Sequence, residues 1–254
     1  MKIVRFAYQN ELNWGVLAGD CVRKINGAIT EEYTVSQEAF LCKDVTLLAP
    51  CVPSKVVCVG LNYYDHAKEM GLEIPQEPLL FLKPPSAVTH PHFPIEYPKI
   101  TQNLHYEAEL AIVIKKNAKN VSAAEAENYI LGYTCANDVT ARDIQKSDGQ
   151  WTRAKSFDTF LPLGPCIETD IDPEQLDIKL YLNGVIKQAS NTRELIFKIP
   201  DLIAYISQAM TLYPGDVIIT GTPPDVGPML PGDVVAVEIA GIGRLENTVV
   251  KMST

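Results

Sequence analysis

The sequence predicts a mostly β protein of the α+β class, in which many short strands accompany a few helices. Short apolar runs recur along the 254 residues, and Gly, Pro, Asn or Asp separates them, as in chains built from strands and turns. Asn183 and Gly184 lie between two such runs and form a typical two-residue hairpin turn. Two later runs each follow a Pro-Gly-Asp turn, at residues 214–216 and 231–233. A hydrophobic share of 46% is enough for one large domain or for a main domain with a small one.

Residues 1–50 are predicted to form a small β-rich domain. Strand-like runs at residues 2–8, 14–19 and 21–25 are broken by Asn, Gly and Asp, which is typical of a meander of hairpins. Residues 29–40 are predicted to be partly helical. The stretch "LLAPCVPSK" then carries two prolines and is predicted to be a linker, so the main domain covers residues 55–254.

The main domain begins with an apolar strand that runs up to Gly60. A short helix is predicted over residues 64–70, with Gly71 ending it. Residues 73–98 are so rich in proline that they cannot form one regular helix or one central strand. Long irregular loops in compact domains are often functional.

A strand is predicted at residues 106–114 and a helix at 122–135, where Ser122 and Glu125 have the spacing of a capping box. A strand is then expected to end near residue 140. The remaining predicted strands lie within residues 163–168, 177–188, 215–223 and 232–239. A helix over residues 193–210 is predicted to be interrupted near Pro200.

Composition excludes several classes of protein. The formal net charge of -9 and the pI near 5.0 do not provide the basic surface of a nucleic-acid binder. No apolar run approaches membrane-spanning length, and the N-terminal stretch lacks the features of a signal peptide. Six cysteines without a CxxC pair suggest neither a zinc site nor a disulfide framework. We therefore expect a cytoplasmic protein with reduced thiols.

Two carboxylates, Glu107 and Glu109, lie two residues apart in the apolar stretch "HYEAELAIVI". In a strand these side chains share one face with His105, and they repel each other unless a cation or proton lies between them. Asp138 ends another largely apolar run. Three carboxylates suit Mg²⁺ or Mn²⁺. The alternative is a solvated strand face, or carboxylates that pair with lysines.

A second candidate pair is His66 and Glu69, which are neighbours on one helical turn. A carboxylate next to imidazole fixes its tautomer and makes it a better base. The alternative is an incidental surface pair.

Arg142 and Gln145 follow Asp138 by four and seven residues, so in a helix they lie near one face. Arg142 can bind a carboxylate with two hydrogen bonds, unless it pairs with an acidic neighbour instead. Lys155 can stabilise developing negative charge, or it can be a surface lysine. Thr222 lies in a Gly/Pro-rich turn that can bind a carboxylate or can be only a turn.

Six blocks follow one another from about Val56 to the C-terminus: "VVCVGLNYYDHAKEMG", "PLLFLKPPSAV", "HYEAELAIVI", "GYTCANDVTARDIQ", "AKSFDTFLPLGP" and "GDVIITGTPPDVG". Together these blocks resemble the fumarylacetoacetate hydrolase superfamily, and residues 1–50 resemble the small extra domain of many bacterial members. The resemblance implies a β-roll of mixed sheets with peripheral helices, commonly as a homodimer. It also implies one Mg²⁺ or Mn²⁺ per subunit, bound by Glu107, Glu109 and Asp138.

For the other candidates, the resemblance implies that His66 and Glu69 are a water-activating dyad on a mobile lid and that Lys155 is catalytic. It also implies that Arg142 and Gln145 face the substrate, while Thr222 remains a candidate for binding the substrate carboxylate.

We accordingly expect an enzyme that hydrolyses a C–C bond of a 2,4-dioxo acid, such as an acylpyruvate or a fumarylacetoacetate-like compound, through a metal-stabilised enolate. Three alternatives stay open: an oxaloacetate decarboxylase, an isomerase or tautomerase of 2-hydroxy-dienedioate or oxaloacetate type, and a metal-binding module without catalysis. The expected partner is a small oxo acid, with no nucleic acid and no membrane.

Overall fold

The computed structural model describes residues 1–252, and strands dominate it, as the sequence predicts. The strands are β1 Lys2–Tyr8, β2 Glu11–Ala18, β3 Cys21–Gly27, β4 Tyr33–Leu41, β5 Thr46–Leu48, β6 Val56–Gly60, β7 Leu79–Lys83, β8 Val88–Thr89, β9 Ile95–Tyr97, β10 Leu104–Tyr106, β11 Ala108–Ile114, β12 Ile130–Asn137, β13 Thr140–Ala141, β14 Leu161–Glu168, β15 Asp177–Leu182, β16 Val185–Asn191, β17 Val217–Ile219, β18 Gly227–Met229, β19 Val234–Ile239 and β20 Gly243–Lys251.

Within residues 1–252, four short α-helices lie between these strands: α1 Tyr64–Met70, α2 Arg142–Asp148, α3 Thr152–Lys155 and α4 Ile199–Ala209. Helix α1 ends where Gly71 adopts a left-handed conformation, which confirms the predicted stop. Pro200 is the second residue of helix α4 and does not interrupt it, and the predicted start of this helix at residue 193 is wrong, because α4 begins only at Ile199. Proline is favoured in the first turn because its missing N–H has no partner there in any helix. Within residues 1–252 no helix has the length and apolar character needed to cross a membrane.

In the part of the chain that the structure describes, the strands form three sheets. The largest has the order β4-β3-β2-β1-β14-β12-β11-β17-β6-β7, with β5 paired to β1 and β8 to β14. The second has the order β13-β10-β18, and the third β16-β15-β19-β20-β9. Both parallel and antiparallel pairs occur in the largest sheet, as for β17 with β6 and β11 with β12. The predicted architecture of mixed sheets with peripheral helices is confirmed.

The first fifty residues continue the largest sheet. Strand β1 pairs with β14 through Lys2 opposite Glu168 and Ile3 opposite Ile167. The predicted partial helix at residues 29–40 is wrong, because β4 pairs with β3 there. Strand β4 is an edge strand with mostly exposed side chains, so its sequence lacks the apolar alternation that marks a strand.

The predicted helix at residues 122–135 is also wrong in its length. A 3₁₀ helix covers only Ala123–Tyr129, and the following apolar residues form β12, whose register pairs it with β11. Ser122 and Glu125 bond each other through their side chains, at 2.7 Å, instead of forming a capping box with the backbone. The Asn183–Gly184 hairpin between β15 and β16 is confirmed, since both residues have positive φ.

Strands β11 and β12 place the candidate site. All seven residues of β11 are buried, between β12 on one side and β17 on the other. Because β11 and β12 are antiparallel, the residue before β11 meets the residue after β12. The amide of Asp138 accordingly donates to the carbonyl of Glu107 at 2.9 Å. Two acidic residues that are far apart in the sequence thus meet where β11 begins and β12 ends.

Candidate active site

Three carboxylates converge at these strand ends, those of Glu107, Glu109 and Asp138. One carboxylate oxygen from each lies within 4.8 Å of the others, and all three residues are buried. Glu107 lies in the break between β10 and β11, and Glu109 is the second residue of β11. His105, which was expected on the same face, instead bonds Asn103 through Nε2 at 2.9 Å. Burial and the nearby Arg142 lower the pKa of His105 to about 4, so its ring is neutral near pH 7.

The three carboxylates fit a hard divalent cation. Burial, and then the charges of Asp138 and Glu107, raise the pKa of Glu109 well above its usual value. The amide of Gly221 donates to Glu109 at 2.6 Å, and this single bond does not offset that cost. A divalent ion between the three oxygens would offset it, and carboxylate oxygens are the donors that Mg²⁺ and Mn²⁺ prefer.

Lys155, at the end of α3, extends into the same cluster. Its buried ammonium group donates to Asp138 at 2.6 Å, to Thr140 at 2.8 Å and to Glu107 at 3.0 Å. Burial alone would lower its pKa, but the charges of Asp138 and Glu107 outweigh burial and raise it above the usual value. Lys155 is therefore protonated near neutral pH. It can stabilise negative charge, and it is a poor candidate for a general base.

Lys83 is a site residue that the sequence analysis did not single out. It ends β7, is fully buried, and donates to Asp138 at 2.5 Å and to the carbonyl of Val139 at 3.1 Å. Burial lowers its pKa from the ordinary value. The available signal was a lone lysine at the end of the apolar run "LLFLK" before two prolines, since an unpaired lysine is rarely buried.

Replacing Lys83 with methionine should destabilise the protein while leaving a folded chain. Met has a similar length but removes one cation from buried Asp138, and breaking a buried ion pair costs roughly 3 kcal/mol or more. We expect the lower end of that range, because Lys155 still contacts Asp138. Urea unfolding measures the change. Exposed Lys43→Met is the control, and equal stabilities of the two variants would contradict the prediction.

Helix α2 carries Arg142 and Gln145 to the cluster. Arg142 forms an ion pair with Glu107 through Nη2, not with the acidic neighbours considered as alternatives. Its Nη1 donates to Oε1 of Gln145 at 2.6 Å. The carbonyl of Gln145 is thus engaged, and its NH₂ group is oriented to donate elsewhere. The Lys155 and Arg142 contacts outweigh the effect of burial and hold the pKa of Glu107 at about 2.

His66 and Glu69 form a close pair on α1. Nδ1 of His66 lies 2.9 Å from Oε2 of Glu69, and the amide of Asp225 donates to Oε1 of Glu69 at 3.1 Å. Asp65 accepts a hydrogen bond from Ser190 at 2.7 Å, which holds the start of α1 against β16. With Nδ1–H donating to the carboxylate, Nε2 of His66 is the nitrogen left to exchange a proton.

Thr222 lies in the turn formed by residues 220–225, beside the cluster. The neighbouring Gly221 has a φ of +101°, and a Cβ there would lie only 2.9 Å from Cβ of Asn62. Glycine thus lets this turn approach closely enough for its amide to reach Glu109. The side chain of Thr222 is buried and is contacted by Gln188, a residue that the sequence analysis also missed.

Two family models and several known proteins match this chain. Residues 55–250 match the family model described as fumarylacetoacetate (FAA) hydrolase C-terminal, and residues 1–50 match the model described as Rv2993c-like, N-terminal. The mitochondrial oxaloacetate tautomerase Fahd2a of Rattus norvegicus is 44% identical over 218 residues, which cover 81% of this chain and 70% of the relative.

Two solved structures extend the comparison. The 2-hydroxyhepta-2,4-diene-1,7-dioate isomerase of Mycobacterium marinum is 43% identical, with a TM-score of 0.94 and full coverage of both chains. The maleylpyruvate hydrolase of Sphingobium sp. SYK-6, solved with manganese(II) and pyruvate, is 31% identical, with a TM-score of 0.84 and full coverage of both chains. With a family model matched over most of its length and the same fold as these relatives, the chain belongs to the fumarylacetoacetate hydrolase family.

Proposed function

We propose that this protein is a divalent-metal-dependent isomerase that moves a proton on a 2-oxo dicarboxylic acid, with keto–enol tautomerisation of oxaloacetate as the first candidate reaction. This choice differs from the C–C hydrolysis favoured by the sequence analysis. It is supported by the activities for which the tautomerase and isomerase relatives are named and by the charge of the buried site.

The charge balance of the buried cluster is the observation that carries the proposal. When Glu107, Glu109 and Asp138 are all ionised, the charges of Lys83, Lys155 and Arg142 balance them. A bound divalent ion then leaves two positive charges without a partner. Uncompensated charge in a buried site is costly, so the best ligand is a dianion. A 2-oxo dicarboxylate has that charge.

The buried site has residues for binding a cation and residues for stabilising negative charge. Glu107, Glu109 and Asp138 would hold the cation, which acts when bound as a Lewis acid towards the 2-oxo oxygen. Lys155 and the NH₂ group of Gln145 stabilise the negative charge on that oxygen when the proton leaves.

Proton transfer needs a base other than protonated Lys155, and His66 meets this requirement. Its Nε2 takes the proton from the 2-hydroxyl group of the enol and delivers a proton to C3, while Glu69 keeps the tautomer fixed. Arg142 and Thr222 orient the carboxylates of the substrate.

C–C hydrolysis of a 2,4-dioxo acid is the second candidate function, because the same His66–Glu69 pair at 2.9 Å can activate a water molecule. The hydrolase relative with bound pyruvate supports this candidate. The two reactions differ in whether water attacks a distal carbonyl group, so their products distinguish them.

The test is a product analysis with Mn²⁺-loaded protein. The rate at which enol oxaloacetate disappears is followed by ultraviolet absorbance and compared with the rate in buffer that contains Mn²⁺ but no protein. NMR distinguishes keto oxaloacetate from pyruvate, the product of decarboxylation. Acetylpyruvate, assayed in parallel, reports hydrolysis through acetate. Faster cleavage of acetylpyruvate would select the second candidate, and pyruvate as the first product from oxaloacetate would indicate a decarboxylase.

His66→Ala should lower the tautomerisation rate by about 10²- to 10⁴-fold, the usual contribution of a positioned acid–base group. Binding of Mn²⁺, measured by calorimetry, should be unchanged because the three candidate ligands are carboxylates and His66 is not among them. Exposed Lys68→Ala on the same helix is the matched control. A His66→Ala variant with the rate of the control would remove His66 from the proposed chemistry.

A further inference from the structure

The turn at residues 220–225 contacts three parts of the candidate site. The amide of Gly221 donates to Glu109, the amide of Asp225 donates to Glu69, and Thr222 lies between them. The turn also contains Pro223 and Pro224, which have no N–H group to donate. Its central carbonyls must therefore be bonded by donors from elsewhere in the fold.

Gln188, on β16, supplies those donors. Its side chain is completely buried, and its Nε2 lies 2.8 Å from the carbonyl oxygen of Pro223, 3.1 Å from that of Pro224 and 3.0 Å from the hydroxyl oxygen of Thr222. The two hydrogens of Nε2 serve these three acceptors, so one hydrogen is shared between two of them. Its Oε1 accepts from the amide of Ala108 at 2.9 Å. Ala108 is the residue between Glu107 and Glu109, so one side chain joins the turn to the chain segment that carries two of the three carboxylates.

The orientation of the Gln188 amide is fixed by its partners. The proline carbonyls can only accept, and the amide of Ala108 can only donate, so Nε2 must face the turn. Because Nε2 cannot accept, the oxygen of Thr222 is the acceptor of their hydrogen bond. The hydroxyl hydrogen of Thr222 is then free to donate to a ligand, and that ligand group must be an acceptor such as a carboxylate.

We propose that Gln188 is a positioning residue. It orients the hydroxyl group of Thr222 to donate to a substrate carboxylate, and it keeps Thr222 at a fixed position relative to the acidic cluster. The inference rests on the proposed function, since it assigns one end of the dicarboxylate to Thr222. Gln188 acts through Thr222 and the backbone of Ala108, without touching the substrate. A buried glutamine that only stabilises the turn is the competing explanation, and stability alone cannot distinguish the two.

The first experiment measures binding of oxalate, an unreactive dicarboxylate, to the Mn²⁺-loaded protein by calorimetry. Gln188→Met and Thr222→Val should each weaken oxalate binding about tenfold, the value of one good hydrogen bond. The double variant should lose little more than either single variant, because both remove the same interaction. The affinity for Mn²⁺ should change far less. Exposed Gln208→Met is the control and should match the wild type.

The second experiment uses Gln188→Glu, because a glutamate can donate a hydrogen bond to the turn only when it is protonated. Its oxalate affinity relative to wild type should improve as the pH falls from 8.5 to 5.5, while its Mn²⁺ affinity relative to wild type should change far less, because the amide of Gly221 in the same turn still reaches Glu109. A pH-independent ratio, together with full oxalate binding by Gln188→Met, would overturn the inference. A wild-type protein that binds no oxalate would instead contradict the proposed function. If Gln188→Met does not fold, the pH trend of Gln188→Glu alone decides.

Discussion

Replacing Asp138 with asparagine is expected to abolish measurable turnover and to weaken Mn²⁺ binding by more than about 100-fold. Loss of a residue that only supports a metal ligand typically costs about 10- to 100-fold in affinity, so loss of a candidate ligand itself should cost more. Losing a Lewis acid removes several kcal/mol of stabilisation, which is roughly a 10³-fold loss of rate or more.

Asp138 has a special position among the three carboxylates. It accepts hydrogen bonds from Lys83 at 2.5 Å and from Lys155 at 2.6 Å, and its side chain is completely buried. An asparagine keeps the size of the side chain but offers one neutral oxygen and an NH₂ group that faces ammonium groups. The change therefore disturbs both the cation site and the lysine that stabilises negative charge.

The matched control is exposed Asp170→Asn, which removes the same charge outside the cluster. Calorimetric titration with Mn²⁺ and the tautomerase assay should separate the two variants, and circular dichroism should show both to be folded. Mn²⁺ binding by Asp138→Asn that equals that of the control would show that the cation is not held by this triad.

The candidate metal site was predictable because its signal is local. Side-chain direction in an extended chain repeats every two residues, so Glu107 and Glu109 were expected to converge before any partner was known. Asp138 was predictable from its place after an apolar run. The break between β10 and β11 was not, and it is why His105 does not join its two neighbours.

Lys83 and Gln188 were missed because their roles depend on distant parts of the chain. Lys83 is 55 residues from Asp138, and Gln188 is 80 residues from Ala108. Within "VIKQAS" the glutamine looks like any polar residue of a hairpin. Only the pairing of β15 with β19, and the resulting place of β16 at the edge of its sheet beside residues 220–225, turns it into a buried donor.

Replacing Lys155 with methionine should separate catalysis from cation binding. We expect the rate to fall by about 10²- to 10³-fold, as when one preorganised donor to a developing oxyanion is removed. Mn²⁺ binding should be retained or tightened, because an ammonium group bonded to Glu107 and Asp138 opposes a second cation beside the same carboxylates. Asp138→Asn, by contrast, should lose both turnover and Mn²⁺ binding.

Lys155→Met should also make folding depend on the cation. Without the ammonium group, Glu107 and Asp138 lose a buried partner, so the melting temperature should fall in the presence of a chelator. It should recover when Mn²⁺ is added, because a ligand that binds only the folded state stabilises that state. Exposed Lys187→Met is the control and should show neither effect. If Lys155→Met instead lost Mn²⁺ affinity in proportion to its rate, the lysine would act by building the cation site, and the stabilisation of substrate charge would have to be assigned to Gln145 and Arg142.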